Sequence, residues 1–80
     1  MKDEEIEFDF SKLRGRIKEF FGTQMAFASA MDTNEATLSN KLNNNVEFSA
    51  KEIIKICSLL KIAFTEIPEY FFKQKVQKTE

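Results

Sequence analysis

The sequence predicts a small all-α domain of five short helices. Three observations predict it. Apolar residues recur at spacings of three and four, capping residues break the chain at regular intervals, and only two glycines and one proline occur in 80 residues. Spacings of three and four put side chains on one face of an α-helix. Scarce glycine and proline leave few obligatory tight turns, which disfavours a hairpin-rich β fold. A chain this short buries only roughly 60–65% of its unfolded surface, so one thin core is expected. Nine phenylalanines and no tryptophan supply most of the bulk for it.

The elements follow in order. Residues 1–8 lack apolar periodicity and are expected to form a flexible acidic leader, with the folded domain over residues 9–72. Phe10, Leu13, Ile17, Phe20 and Phe21 share one face of a first helix, which Asp9 or Ser11 caps and Gly22 stops. Thr23 caps a second helix, about residues 23–31, with Phe27, Ala28 and Met31 on one face. Asp32-Thr33-Asn34 are three poor helix-interior residues in a row, and Asp tolerates the left-handed conformation of a tight turn. Asn34 caps a third helix, Glu35 to Leu42, whose Leu38 and Leu42 point inward at i, i+4. Asn43-Asn44-Asn45 ends it. Ser49 and Glu52 form a capping box for a fourth helix with Ile53, Ile56, Cys57 and Leu60 in one stripe. A fifth helix is expected around Thr65 to Phe72, with Pro68 in its first turn, where the missing N–H has no partner to lose. Residues 73–80, with Lys73, Lys75 and Lys78, are expected to form a basic C-terminal tail.

Composition removes several function classes. Without histidine, the usual neutral-pH proton shuttle and commonest metal ligand are missing. There is no glycine-rich phosphate loop and no paired acidic spacing, so neither an enzyme, a cofactor nor a metal is expected. The lone Cys57 makes no internal disulfide, which suits the cytoplasm, and reads as a small buried hydrophobe. No apolar stretch approaches the roughly 20 residues that span a bilayer. The acidic start is unlike a signal peptide. The net charge is −1, but residues 1–9 carry five acidic side chains against Lys2, leaving eleven basic and eight acidic beyond them. That remainder is permissive for phosphate contact and well short of a strong electrostatic footprint. Lys12, Arg14, Arg16 and Lys18 step by two, so a helix spreads them around; they read as mainly solvated, with Arg14 or Arg16 near DNA.

The spacing in the middle of the chain is more specific. Counting from Gln24 as position 1, Ala28 falls at 5, Asp32 at 9 and Leu38 at 15. Two helices crossing steeply need a small residue where they touch, a residue that turns sharply, and an apolar anchor beneath the second helix. These three residues meet those needs in order.

On these residues, with Thr23-Gln24-Met25-Ala26-Phe27-Ala28, Met31 to Asn34 and Thr37-Leu38-Ser39, the chain resembles the lambda-repressor-like (XRE/Cro-type) helix-turn-helix family. A narrower resemblance, to small Gram-positive temperate-phage Cro-type regulators and modulators of repression, rests on residues 12–17, 37–43 and 70–72. It implies a five-helix lambda-repressor-like domain that acts on the lytic–lysogenic switch in the bacterial cytoplasm by binding double-stranded operator DNA. It further implies that Glu35, Ala36, Thr37 and Asn40 contact base edges. Thr23, Gln24, Ser39, Lys41, Asn43, Asn44 and Asn45 would then contact phosphate, although the three asparagines also suit a simple turn. Asp32 replaces the family's usual glycine and makes the turn tenser. Glu35 is acidic where basic or amide residues are frequent, and it repels phosphate. An alternative therefore stands beside DNA binding: an antirepressor that captures a partner phage repressor. Ile67, Tyr70, Phe71 and Phe72 read as more apolar surface than one thin core absorbs, and so as a protein interface for a repressor or a second copy.

Overall fold

A computed structural model describes residues 6–75. Five α-helices follow one another: α1 (Ser11–Phe21), α2 (Gln24–Ala30), α3 (Glu35–Leu42), α4 (Ala50–Leu60) and α5 (Ile67–Phe71), the last preceded by a 3₁₀ turn (Phe64–Glu66). Among the described residues there is no strand, only an isolated antiparallel bridge between Phe8 and Gln74. The all-α, five-helix fold expected from the sequence is the fold observed.

The helix starts are set by short polar side chains. Thr23 Oγ1 accepts from Ala26 N–H, Asn34 Oδ1 from Thr37 N–H, and Ser49 and Glu52 close a full capping box. Each satisfies an amide that the first helical turn leaves without an intrahelical partner. At α1 the cap is displaced by one residue. Phe10 occupies the capping position, and Asp9 Oδ1 accepts from both the backbone and the hydroxyl of Ser11. Those bonds hold the Asp9 carboxyl below its ordinary pKa.

Three helices end through one motif without glycine. Asp32, Asn44 and Lys61 take left-handed conformations with φ of 65°, 68° and 56°. In each case the next residue donates its N–H back to a carbonyl five positions earlier: Thr33 to Ala28, Asn45 to Asn40, and Ile62 to Cys57. Orphan carbonyls are satisfied at the cost of a left-handed side chain, roughly 1–2 kcal/mol for an ordinary residue and least for Asp and Asn. Asp32 in this conformation is the tense turn that the missing glycine predicts.

The core gathers one stripe from each helix. Leu13 and Ile17, Phe27 and Ala28, Leu38 and Leu42, and Ile56, Cys57 and Leu60 are all buried, joined by Phe10, Ile62, Tyr70 and Phe71. Burial pushes the Cys57 thiol pKa up, as a small buried hydrophobe requires. The phenylalanines divide by position. Phe10, Phe27 and Phe71 are buried, Phe8, Phe21 and Phe48 pack partly against the core, and Phe20, Phe64 and Phe72 are exposed. Phe20, expected on the inner face of α1, instead lies under the Arg16 guanidinium at 4.8 Å. The expected C-terminal interface is also corrected here. Tyr70 and Phe71 are core residues, Ile67 packs half-buried against them, and only Phe72 stands half exposed. The short α5 turns two of its aromatic rings inward, and Phe48 stacks edge-on against both Phe10 and Phe71.

Residues 6–8 and 73–75 depart from expectation as well. Residues 7–9 and 73–75 run antiparallel, with Asp9 N–H donating to Lys73 C=O and Lys75 N–H to Glu7 C=O. On the other side of that segment the Asn44 amide stands where a third strand would. Its Oδ1 accepts from Phe8 N–H at 2.9 Å and its Nδ2 donates to Phe8 C=O at 3.0 Å. Residues 6–8 and 73–75 are thus part of the folded unit rather than tails. The remainder of the expected leader and tail, including Lys2, Asp3, Glu4, Glu5 and Lys78, lies outside the described residues. Asn44→Ala removes both bonds and the side chain that eases a left-handed φ, so a loss of about 2–3 kcal/mol is expected in urea unfolding. Asn44→Gly, which keeps the backbone freedom, is expected to lose less.

Candidate functional site

The candidate site is the outward face of α2, the Asp32 turn and α3. Thr23 and Asn34 fix the two helix starts, while Leu38 and Leu42 anchor the floor of α3 in the core. That geometry leaves Glu35, Ala36 and Asn40 exposed on the outer side, with Thr37 and Ser39 half-buried at its edges. The residues expected at base edges therefore do share one accessible face.

The residues expected to meet phosphate are more occupied. Lys41 is turned back from the face and pairs with Glu52 of α4, its side chain only 15% exposed. Burial raises the Glu52 pKa, but the bonds from Lys41 and from Ser49 outweigh it and hold the carboxyl below its ordinary value of 4.5. Asn44 is committed to Phe8. Asn43 Oδ1 accepts from Arg14, and its Nδ2 reaches Ser39 Oγ at 3.3 Å. Asn45 Nδ2 reaches Asn40 Oδ1 at 3.4 Å. The Thr23 hydroxyl is engaged as a helix cap. Gln24 Oε1 accepts from Arg14 at 3.4 Å, bracing α2 against α1.

Both arginines of helix α1 take a role that composition does not reveal. Arg14 donates to Leu42 C=O at 3.2 Å and to Asn43 Oδ1, closing the C-terminal end of α3. Arg16 donates to Leu60 C=O and Lys61 C=O at 2.9 and 2.8 Å, closing the end of α4. A guanidinium at a helix C-terminus satisfies orphan carbonyls and complements the negative end of the dipole. Arg14 nevertheless stays exposed, as expected, while Arg16 is half-buried. Lys12 pairs with Glu69 and lies 4.8 Å from the centre of the Tyr70 ring.

The electrostatic result is simple. From Gln24 to Leu42 the chain holds one basic residue, Lys41, and two acidic ones, Asp32 and Glu35. The lysine is neutralised inside the fold and the acids are exposed, so the face carries negative charge. Among the described residues no cluster of histidine, cysteine or acidic side chains is arranged to hold a metal ion. No helix among them is long and apolar enough to cross a membrane.

The Lys41–Glu52 pair has a pH signature. Because the folded-state pKa of Glu52 is depressed, its contribution is complete above the ordinary carboxylate value and is lost as pH falls through the folded pKa. The melting temperature is expected to fall on acidification below about pH 4.5, and Glu52→Gln is expected to flatten that slope. Thermal melts of both proteins between pH 3 and 7 check this.

The fold and face define a small five-helix domain in which α2, the Asp32 turn and α3 present an acidic outer surface. The chain belongs to the family described as "Protein of unknown function (DUF739)", which matches residues 6–74. Among solved structures it is similar to the solution structure of the modulator of repression of the temperate bacteriophage TP901-1 from Lactococcus lactis. The two share 44% sequence identity at a TM-score of 0.75, over 88% of this chain and 95% of that chain. A search of curated proteins finds no match. Of the two levels of resemblance read from the sequence, this neighbour carries the narrower, to temperate-phage proteins that modulate repression.

Proposed function

We propose that this chain modulates repression in a temperate phage by binding a partner repressor through the acidic α2–α3 face. One observation carries the reading: the helix pair that a DNA-binding protein lines with free cations here holds a single lysine, already paired with Glu52. Affinity for duplex DNA comes largely from cations that neutralise phosphates, so this face supplies little of it. A repressor's own DNA-reading surface is basic for the same reason, and it is complementary to exposed Glu35 and Asp32. The similarity to a modulator of repression supports the same reading. In it the chain is a binding protein of the bacterial cytoplasm and catalyses nothing.

Operator DNA remains the second reading, and one observation favours it. Arg14, Lys18 and Gln24 line a shallow depression beside the start of α2, where cationic and amide groups suit a phosphate. Mobility shifts of operator-containing DNA with this protein, with the purified repressor of the same phage, and with both, separate the two. The expected result is no salt-resistant shift by this protein alone and an altered repressor shift when both are present. A specific shift by this protein alone, falling steeply with salt, would instead establish operator binding.

A further inference from the structure

We infer that the apolar groove beyond the C-terminal end of α3 is a second contact for the same repressor, taking one of its aliphatic or aromatic side chains with an arginine or lysine beside it. The inference rests on the reading of the α2–α3 face given above and adds the chemistry of the partner. The groove encloses about 210 Å³, below the roughly 300–1,000 Å³ of sites that take small molecules. Phe10, Phe48 and Phe71 form its floor. Three of the large apolar residues that the fold leaves exposed stand around it: Ile6 at 61%, Val46 at 51% and Phe72 at 50%. The groove is held open in the free protein, because the Asn44 amide fixes the backbone of Phe8 on one wall by two hydrogen bonds. A pre-organised wall lowers the ordering cost of binding.

Two features select the occupant. Lys41 and Asn44, in the last turn of α3 and just beyond it, line the groove, so it adjoins the C-terminal end of that helix. The eight residues of α3 place its near edge about 12 Å from Glu35, at 1.5 Å per residue. Glu47, exposed at the rim, has no ion-pair partner among the described residues, whereas Lys41 and Glu52 beside it satisfy each other. An apolar anchor with a cationic neighbour fits that rim. A basic repressor surface that meets Glu35 at the start of α3 reaches the groove where it extends past the C-terminal end of the helix.

The test uses the full chain, labelled at Ile and Val methyl groups and titrated with the purified repressor of the phage that encodes it. The Ile6, Val46 and Ile53 methyl resonances are expected to shift together with the Glu35 amide. Val46→Asp is expected to weaken repressor binding at least about tenfold with an unchanged melting temperature, and Val46→Ile to retain it. Silent methyls and full affinity in Val46→Asp, with binding still lost in Glu35→Lys, would overturn the groove contact and leave the proposed function standing. Absence of any binding by the unaltered chain would remove both. Self-association of the free protein in sedimentation, abolished by Val46→Asp, would assign the groove to a second copy and overturn the proposal. Nuclear Overhauser contacts from residues 1–5 or 76–80 to Val46 would do the same in favour of the chain's own ends.

Discussion

Phe27→Ala is expected to lower the melting temperature by at least about 15 °C and to leave the domain close to unfolded at 37 °C. Phe27 is fully buried, and its ring meets Phe21 edge-on at 5.1 Å between centroids. It lies on α2, beneath the face assigned to the partner. Removing a buried phenylalanine costs about 3–5 kcal/mol, from lost transfer energy and from a cavity that neighbours only partly fill. A domain of this size has about 4–12 kcal/mol in total. Each kcal/mol moves the melting temperature by about 4–8 °C. The control is Met25→Ala on the same helix. Met25 is 64% exposed, so a change within about 0.5 kcal/mol is expected. Calorimetry on both variants checks the pair, and equal melting temperatures would contradict the assignment of Phe27 to the core.

Glu35→Lys is expected to abolish most repressor capture while raising non-specific DNA affinity. Glu35 is exposed in the first turn of α3, on the outer face, and its carboxylate has neither a hydrogen-bond nor an ion-pair partner among the described residues. Its reversal turns an attraction to a basic surface into a repulsion, and it adds a cation where phosphate would lie. The change reads out chiefly in the association rate and weakens as salt screens it, with a Debye length of about 8 Å at physiological ionic strength. A competing structural role predicts something else. An acid in the first turn of a helix stabilises it by about 0.3–1 kcal/mol through the dipole, so reversal alone would lower the melting temperature slightly. Melting temperature, repressor binding by calorimetry and DNA affinity by mobility shift, measured on this one variant, separate the roles. Unchanged repressor binding in a folded Glu35→Lys protein removes the acidic face from the mechanism.

The helices themselves were legible because their determinants are local. Thr23, Asn34 and the Ser49–Glu52 box each bond an amide three residues away, and the inward stripes follow from the 3.6-residue period. The left-handed turn at Asp32 was legible for the same reason. The extended segment before α1 also leaves a trace in the sequence. Ile6, Phe8 and Phe10 alternate with charged residues at the two-residue period of a strand, too briefly to stand out beside an acidic run.

Local sequence is therefore enough for the set of helices, for the caps of α2, α3 and α4, and for the inward placing of Phe27, Leu38 and Leu42. The use of the long polar side chains follows instead from how the helices pack. Arg14 and Arg16 reach carbonyls 28 and 44 residues away, Lys41 turns back to Glu52 on the next helix, and Asn44 holds Phe8 across 36 residues. None of these partners is set by local spacing, because each depends on where another helix or chain end is packed. The sign of the α2–α3 face depends on the same packing. One lysine on the chain counts as a free cation until the fold supplies a carboxylate beside it, and here Glu52 does.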